Sequence, residues 1–101
     1  MKTISISTLN AMKENEEKFA VLTAYDYTFS RLIESSSIEV SLVGDSLGNV
    51  IQGCDSTIPV TVDEMAYHTA AVKRGNKRSL LVSDMPFMSY STEVNALDNA
   101  A

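Results

Sequence analysis

Three short apolar runs punctuate this chain: FAVLTA (19–24), IEVSLV (38–43) and SLLVS (79–83). Each gives way within two residues to an aspartate: Asp26, Asp45 and Asp84. Runs of this length, free of Gly and Pro, suit strands buried on both faces. Between them lie segments of helical character. After Asp26, Phe29, Leu32 and Ile33 recur at helical spacing, and the pattern fades in Ser35-Ser36-Ser37. Thr61-Val62-Asp63-Glu64 reads as a capping box, in which Thr61 and Glu64 satisfy each other's orphan amides. Met65, Ala66, Thr69, Ala70 and Val72 continue that helix, and Gly75 is placed as its C-cap. A short amphipathic helix capped by Ser7 or Thr8, with Leu9 and Met12 on one side, precedes the first strand. Thr92 caps another helix from Glu93 onward. A long glycine-containing loop is expected from Gly44 to about Pro59.

Strand and helix thus alternate three times, which dictates a parallel sheet with right-handed crossovers. Three parallel strands bury little and leave two open edges. A closed (β/α)8 barrel needs about eight such units and about 250 residues. The expected fold is therefore α/β. Residues 1–101 form a single incomplete domain, the first three βα units of a TIM barrel behind a short N-terminal helix, and the chain looks truncated. A small open α/β piece is the other solution.

Charge and composition exclude several functions. The formal net charge is −5, and Lys73, Arg74, Lys77 and Arg78 form only a short cluster, so no nucleic-acid partner is expected. That cluster is assigned to a solvated helix end. No apolar stretch approaches the roughly 20 residues that span a bilayer, and MKTISISTLNAMKENEEKF lacks a secretory h-region. A lone cysteine, Cys54, suits a reducing compartment, and a cytoplasmic location is expected.

Parallel strands end on one edge, and that edge carries the ligand site in barrels and open sheets alike. Asp45 and Asp84 therefore face one mouth. Two carboxylates there repel unless a divalent cation joins them, and oxygen ligands suit Mg²⁺. One His and one Cys supply a zinc site poorly. A plain turn or cap role stands beside the metal role for both aspartates. Asp26 reads as a helix cap. Tyr25 shares the rim, where it packs or touches a ligand. His68, inside a helix, is expected to point away from the mouth. "GDSLG" (44–48) also matches the GDSL-type esterases, whose serine is the nucleophile. That chemistry needs a histidine base and an orienting acid. The only histidine has Asp63 five residues before it, so the esterase Asp-x-x-His pattern is missing.

Four blocks occur in order: TAYDYTFSRL (23–32), VGDSLGNVIQGCDSTIPVT (43–61), AYHTAAVKRG (66–75) and LLVSDMPFMSY (80–90). Together they resemble the ketopantoate hydroxymethyltransferase family, over nearly the whole chain from about residue 18. The resemblance implies a TIM barrel of the phosphoenolpyruvate/pyruvate type and a homo-oligomer, often a decamer. It implies transfer of a one-carbon unit from 5,10-methylenetetrahydrofolate to 3-methyl-2-oxobutanoate, giving ketopantoate for pantothenate and coenzyme A synthesis. Carried onto this sequence, Asp45 and Asp84 match the magnesium ligands. Asp45, Ser46 and Asp84 match the keto-acid contacts, which makes Ser46 a binder and not a nucleophile. Gly44 and Gly48 would let the backbone approach the ligand. The family's third ligand glutamate, its substrate lysine and its glutamate base belong to later strands, beyond Ala101, so no catalytic base is identified here. The expectation is an inactive chain by itself. The alternatives are a non-catalytic remnant of a truncated or split gene, or the esterase.

Overall fold

A computed structural model describes residues 2–101. In chain order the elements are α1 (Ile6–Glu14), β1 (Val21–Thr23), α2 (Tyr27–Ser35), β2 (Val40–Val43), α3 (Leu47–Val50), α4 (Val62–Gly75), β3 (Leu80–Ser83) and α5 (Glu93–Ala100). The three strands form one parallel sheet in the order β1-β2-β3. Val21 pairs with Val40, which pairs with Leu80, so the strands start level and end within a residue of one another. Helices α2 and α4 make the two crossovers and pack on each other. The core lies between them and the sheet: Ala24, Ile33, Val43, Leu47, Val60, Met65 and Val72.

Several local expectations hold. The Asp26 carboxylate accepts from the Phe29 amide at 2.8 Å and caps α2. Thr61 and Glu64 form the reciprocal box that opens α4. Thr92 caps α5, accepting from the Asn95 amide at 3.1 Å. Each device uses neighbours within a few residues, so spacing alone is enough to find it.

Other expectations are corrected. The cap of α1 is Ser5, with Thr8 in the return position of the box where Glu or Gln is usual. Strand β1 is shorter than expected and exposed along its length, Val21 and Leu22 each at 49%. It lies at the sheet edge with β2 as its single neighbour, so its apolarity goes uncovered. In α2 the helical period is right but the buried face is not. Phe29 (59%) and Leu32 (54%) are exposed, while Ser30 and Ile33 face inward. The loop after Gly44 contains the short helix α3. Of the basic cluster, Arg78 is not simply solvated, because its guanidinium donates to the Ile38 carbonyl at 2.9 Å.

Gly75 is the last residue of α4, and Asn76 is the C-cap. What Gly75 supplies is closeness. A Cβ there would lie 3.0 Å from both the Ser30 Cβ and the Tyr27 carbonyl oxygen of α2. Ser30 uses the same approach to donate its hydroxyl to the Val72 carbonyl at 2.6 Å. Gly75→Val should therefore push α2 and α4 apart at a cost of about 2 kcal/mol, read by urea denaturation. A cost near zero would mean that the crossing is looser than this geometry.

A polar network fastens the opposite, N-terminal end of the sheet. The Glu34 carboxylate accepts from the Arg78 amide (2.9 Å), the Ser79 amide (3.0 Å) and the Ser79 hydroxyl (3.0 Å). Ser79 in turn meets the buried Ser41 hydroxyl at 2.7 Å. Burial opposes ionisation of Glu34, but the amides of Ser79, Arg78 and Lys77 outweigh it and hold the carboxyl below its ordinary 4.5. A carboxylate with a depressed folded value contributes stability that is complete above its unfolded value and is lost as pH falls through the folded one. Glu34→Gln should cost about 1–2 kcal/mol at neutral pH, discounted for partial exposure. The gap to the parent should close as pH is lowered below 4.5. A pH-independent gap would contradict this account.

Candidate functional site

The level strand ends bring the segments after β1, β2 and β3 to one rim. Backbone bonds continue past the strands and fix that rim. The Ala24 amide donates to the Leu42 carbonyl at 3.0 Å, and the Asp84 amide donates to the Val43 carbonyl at 3.0 Å. Asp84 therefore begins where β3 is still tied to β2.

Asp45 and Asp84 meet there. The Asp45 backbone N–H donates to Asp84 Oδ2 at 3.1 Å, which ties the two residues together at the rim. Neither aspartate caps a helix. Among the described residues, Asp84 Oδ1 and both Asp45 carboxylate oxygens have no hydrogen-bond partner. Gly44 is buried beneath this pair. A Cβ there would crowd the Ser46 hydroxyl at 3.3 Å and Asp84 Oδ2 at 3.4 Å. A side chain at Gly44 would thus press on the two residues beside it. Gly48 answers to packing instead, since its Cβ would sit 2.7 Å from Val60 Cγ2.

Ser46 stands at the N-cap position of α3 yet makes no side-chain capping bond. A serine there ordinarily spends its hydroxyl on an amide of the first turn. Here the hydroxyl lies 2.7 Å from the Tyr25 hydroxyl. It has no imidazole partner, because His68 is engaged elsewhere. His68 Nδ1–H donates to the Tyr25 carbonyl at 2.8 Å, and the acceptor settles that tautomer. The expectation that His68 points away from the rim is corrected in part. The N-terminal half of α4 runs beside the strand ends, so the ring touches rim backbone while staying off the carboxylates. The esterase arrangement, a serine hydrogen-bonded to a histidine base, is not built here.

The site holds acceptors in excess. Asp45 and Asp84 together bring three carboxylate oxygens without protein partners to this rim, among the described residues. No group of three or more His, Cys, Asp or Glu side chains converges among the described residues. Sequence reasoning pointed to Asp45, Ser46 and Asp84, which the structure brings to one rim. It left Tyr25 between packing and contact, and it missed the His68 bond, because both depend on which strand ends become neighbours.

Parallel βα units with acids and a hydroxyl at the strand ends define a class, the α/β proteins built on a parallel sheet. Comparison with known proteins narrows it. The family model for ketopantoate hydroxymethyltransferase matches residues 3–101, and the chain belongs to that family, a family of transferases. It is 54% identical over 98 residues to a 3-methyl-2-oxobutanoate hydroxymethyltransferase of Marinobacter nauticus, covering 97% of this chain and 37% of that protein. The namesake from Escherichia fergusonii is 54% identical over 101 residues, covering 100% of this chain and 38% of that protein. That from Marinomonas sp. is 55% identical over 100 residues, covering 99% and 36%. The chain thus spans a little over a third of the length of the curated relatives it matches. Among the described residues, no helix is long and apolar enough to cross a membrane.

Proposed function

We propose that residues 1–101, one incomplete domain, are the first three βα units of a (β/α)8 barrel of the phosphoenolpyruvate/pyruvate type. In this reading they carry the keto-acid-binding half of a hydroxymethyltransferase site. The whole protein would transfer a one-carbon unit from 5,10-methylenetetrahydrofolate to 3-methyl-2-oxobutanoate, giving ketopantoate. The carrying observation is the Asp45–Asp84 pair, held by a backbone bond at the strand-end rim with Ser46 beside it. The family and the names of the relatives support the substrate class. A cytoplasmic, homo-oligomeric enzyme fits the same reading.

Asp45 and Asp84 would hold Mg²⁺, whose charge makes the keto acid's C3–H more acidic. The chain's own residues then bind and orient. Ser46 offers its hydroxyl and backbone amide to the keto acid's carboxylate. Asp84 holds the Asp45 backbone in place through the Asp45 amide. Gly44 leaves the floor open. The family's proton-abstracting glutamate matches no residue in these 101.

The test is a graft. Residues 1–101 replace the matching segment of the Escherichia fergusonii relative, and ketopantoate formation is measured. The graft should turn over, and the 101-residue chain on its own should not. An inactive but folded graft contradicts the assignment. Turnover by the 101 residues alone contradicts the division of labour.

A further inference from the structure

Tyr25 is fixed at three points before any ligand arrives. Its ring packs against the core cluster. Its carbonyl accepts from His68 at 2.8 Å, and its hydroxyl lies 2.7 Å from the Ser46 hydroxyl. Ser46 is equally committed, since its hydroxyl makes no capping bond and rests over Gly44. We propose that Tyr25 is a positioning residue that sets the direction of the Ser46 hydroxyl and so tunes the site for carboxylate ligands. This inference rests on the keto-acid reading of the rim.

The direction follows from counting protons. Each hydroxyl has one O–H to give and lone pairs to accept with. Either can be the donor in the Tyr25–Ser46 bond. A carboxylate only accepts, so Ser46 must point its proton at the ligand. The bond to Tyr25 survives only if Tyr25 donates into the Ser46 oxygen. The order becomes Tyr25 O–H to Ser46, then Ser46 O–H to carboxylate, and each link polarises the next. Without the phenol, Ser46 is free to rotate and is a poorer donor. His68 acts one step back by holding the backbone that carries the phenol. A neutral ligand, with a weaker acceptor at the same place, gains little from the arrangement.

The experiment is an NMR titration of the full 101-residue chain in Mg²⁺, with 3-methyl-2-oxobutanoate and its methyl ester as probes. Tyr25→Phe removes one oxygen and should leave the amide spectrum unchanged away from the rim. It should weaken the keto acid about fivefold, the usual worth of one hydrogen bond. The ester's affinity should stay within about twofold. In a Ser46→Ala background, Tyr25→Phe should add no further loss, because its effect passes through Ser46. An equal loss for acid and ester, or full additivity with Ser46→Ala, would overturn the proposal and leave the keto-acid site standing. If the parent chain binds neither probe, the same titrations are made on the graft with the Escherichia fergusonii relative, and a folded graft that binds neither contradicts the keto-acid reading, and this inference with it. If Tyr25→Phe misfolds, His68→Gln, which loosens the backbone that carries the phenol, takes its place: a loss confined to the acid supports the relay, and a loss shared with the ester overturns it.

Discussion

Asp84→Ala, made in the graft with the Escherichia fergusonii relative, should lower kcat/KM for ketopantoate formation on the order of a thousandfold. Two losses combine. One carboxylate is gone from the pair that would hold Mg²⁺, and the Asp45 amide loses its acceptor at 3.1 Å. Asp84→Asn separates them. The amide side chain keeps an oxygen for the Asp45 N–H but carries no charge. If the charge matters most, Asn should be nearly as poor as Ala. If position matters most, Asn should recover much of the rate. Asp45→Ala removes only a side chain without a protein partner, so its effect should reach activity and spare stability. A loss below about tenfold for Asp84→Ala would mean that the rim is not where the chemistry happens.

Leu47→Ala should be the most damaging single change to the fold. Leu47 is fully buried, directly follows Ser46, and packs with Val43, Val60, Met65 and Val72. Truncating a leucine in such a place costs about 3 kcal/mol, part transfer and part cavity. That is a large share of the 5–15 kcal/mol a domain commonly has, and small domains sit low in that range. The loss should also reach the site, because Leu47 anchors the turn that presents Ser46. Val50→Ala in the same short helix is the control. Val50 is 65% exposed and should change stability by no more than about 0.5 kcal/mol. Urea denaturation of both variants settles the comparison. Equal effects would mean that α3 is not seated in the core.

The sheet, its parallel order and the rim that gathers the aspartates were legible in the alternation of apolar runs and helical segments. Caps such as Asp26, Thr61 and Thr92 were legible because they act within a turn. What escaped depends on partners distant in sequence. The apolar run around Val21 announces faces that could be covered, and at a sheet edge they are not. Ser30, Ser41 and Ser79 look like surface residues until the bonds to Val72 and to one another are known. Glu34 reads as another helix acid, yet it fastens the start of β3 from 45 residues away. The same holds at the site. The motif blocks point to Asp45, Ser46 and Asp84, while the Tyr25 phenol and the His68 bond emerge only when β1 and α4 are laid beside β2.

The central claim is that this rim binds a 2-keto acid through a divalent cation. Its most direct measurement follows the backbone amides of Gly44, Asp45, Ser46 and Asp84 by NMR as 3-methyl-2-oxobutanoate is added, once in Mg²⁺ and once in EDTA. Shifts confined to these residues, present with Mg²⁺ and abolished by EDTA, are the predicted result. Shifts that are the same in EDTA, or that fall away from the strand-end rim, would contradict it.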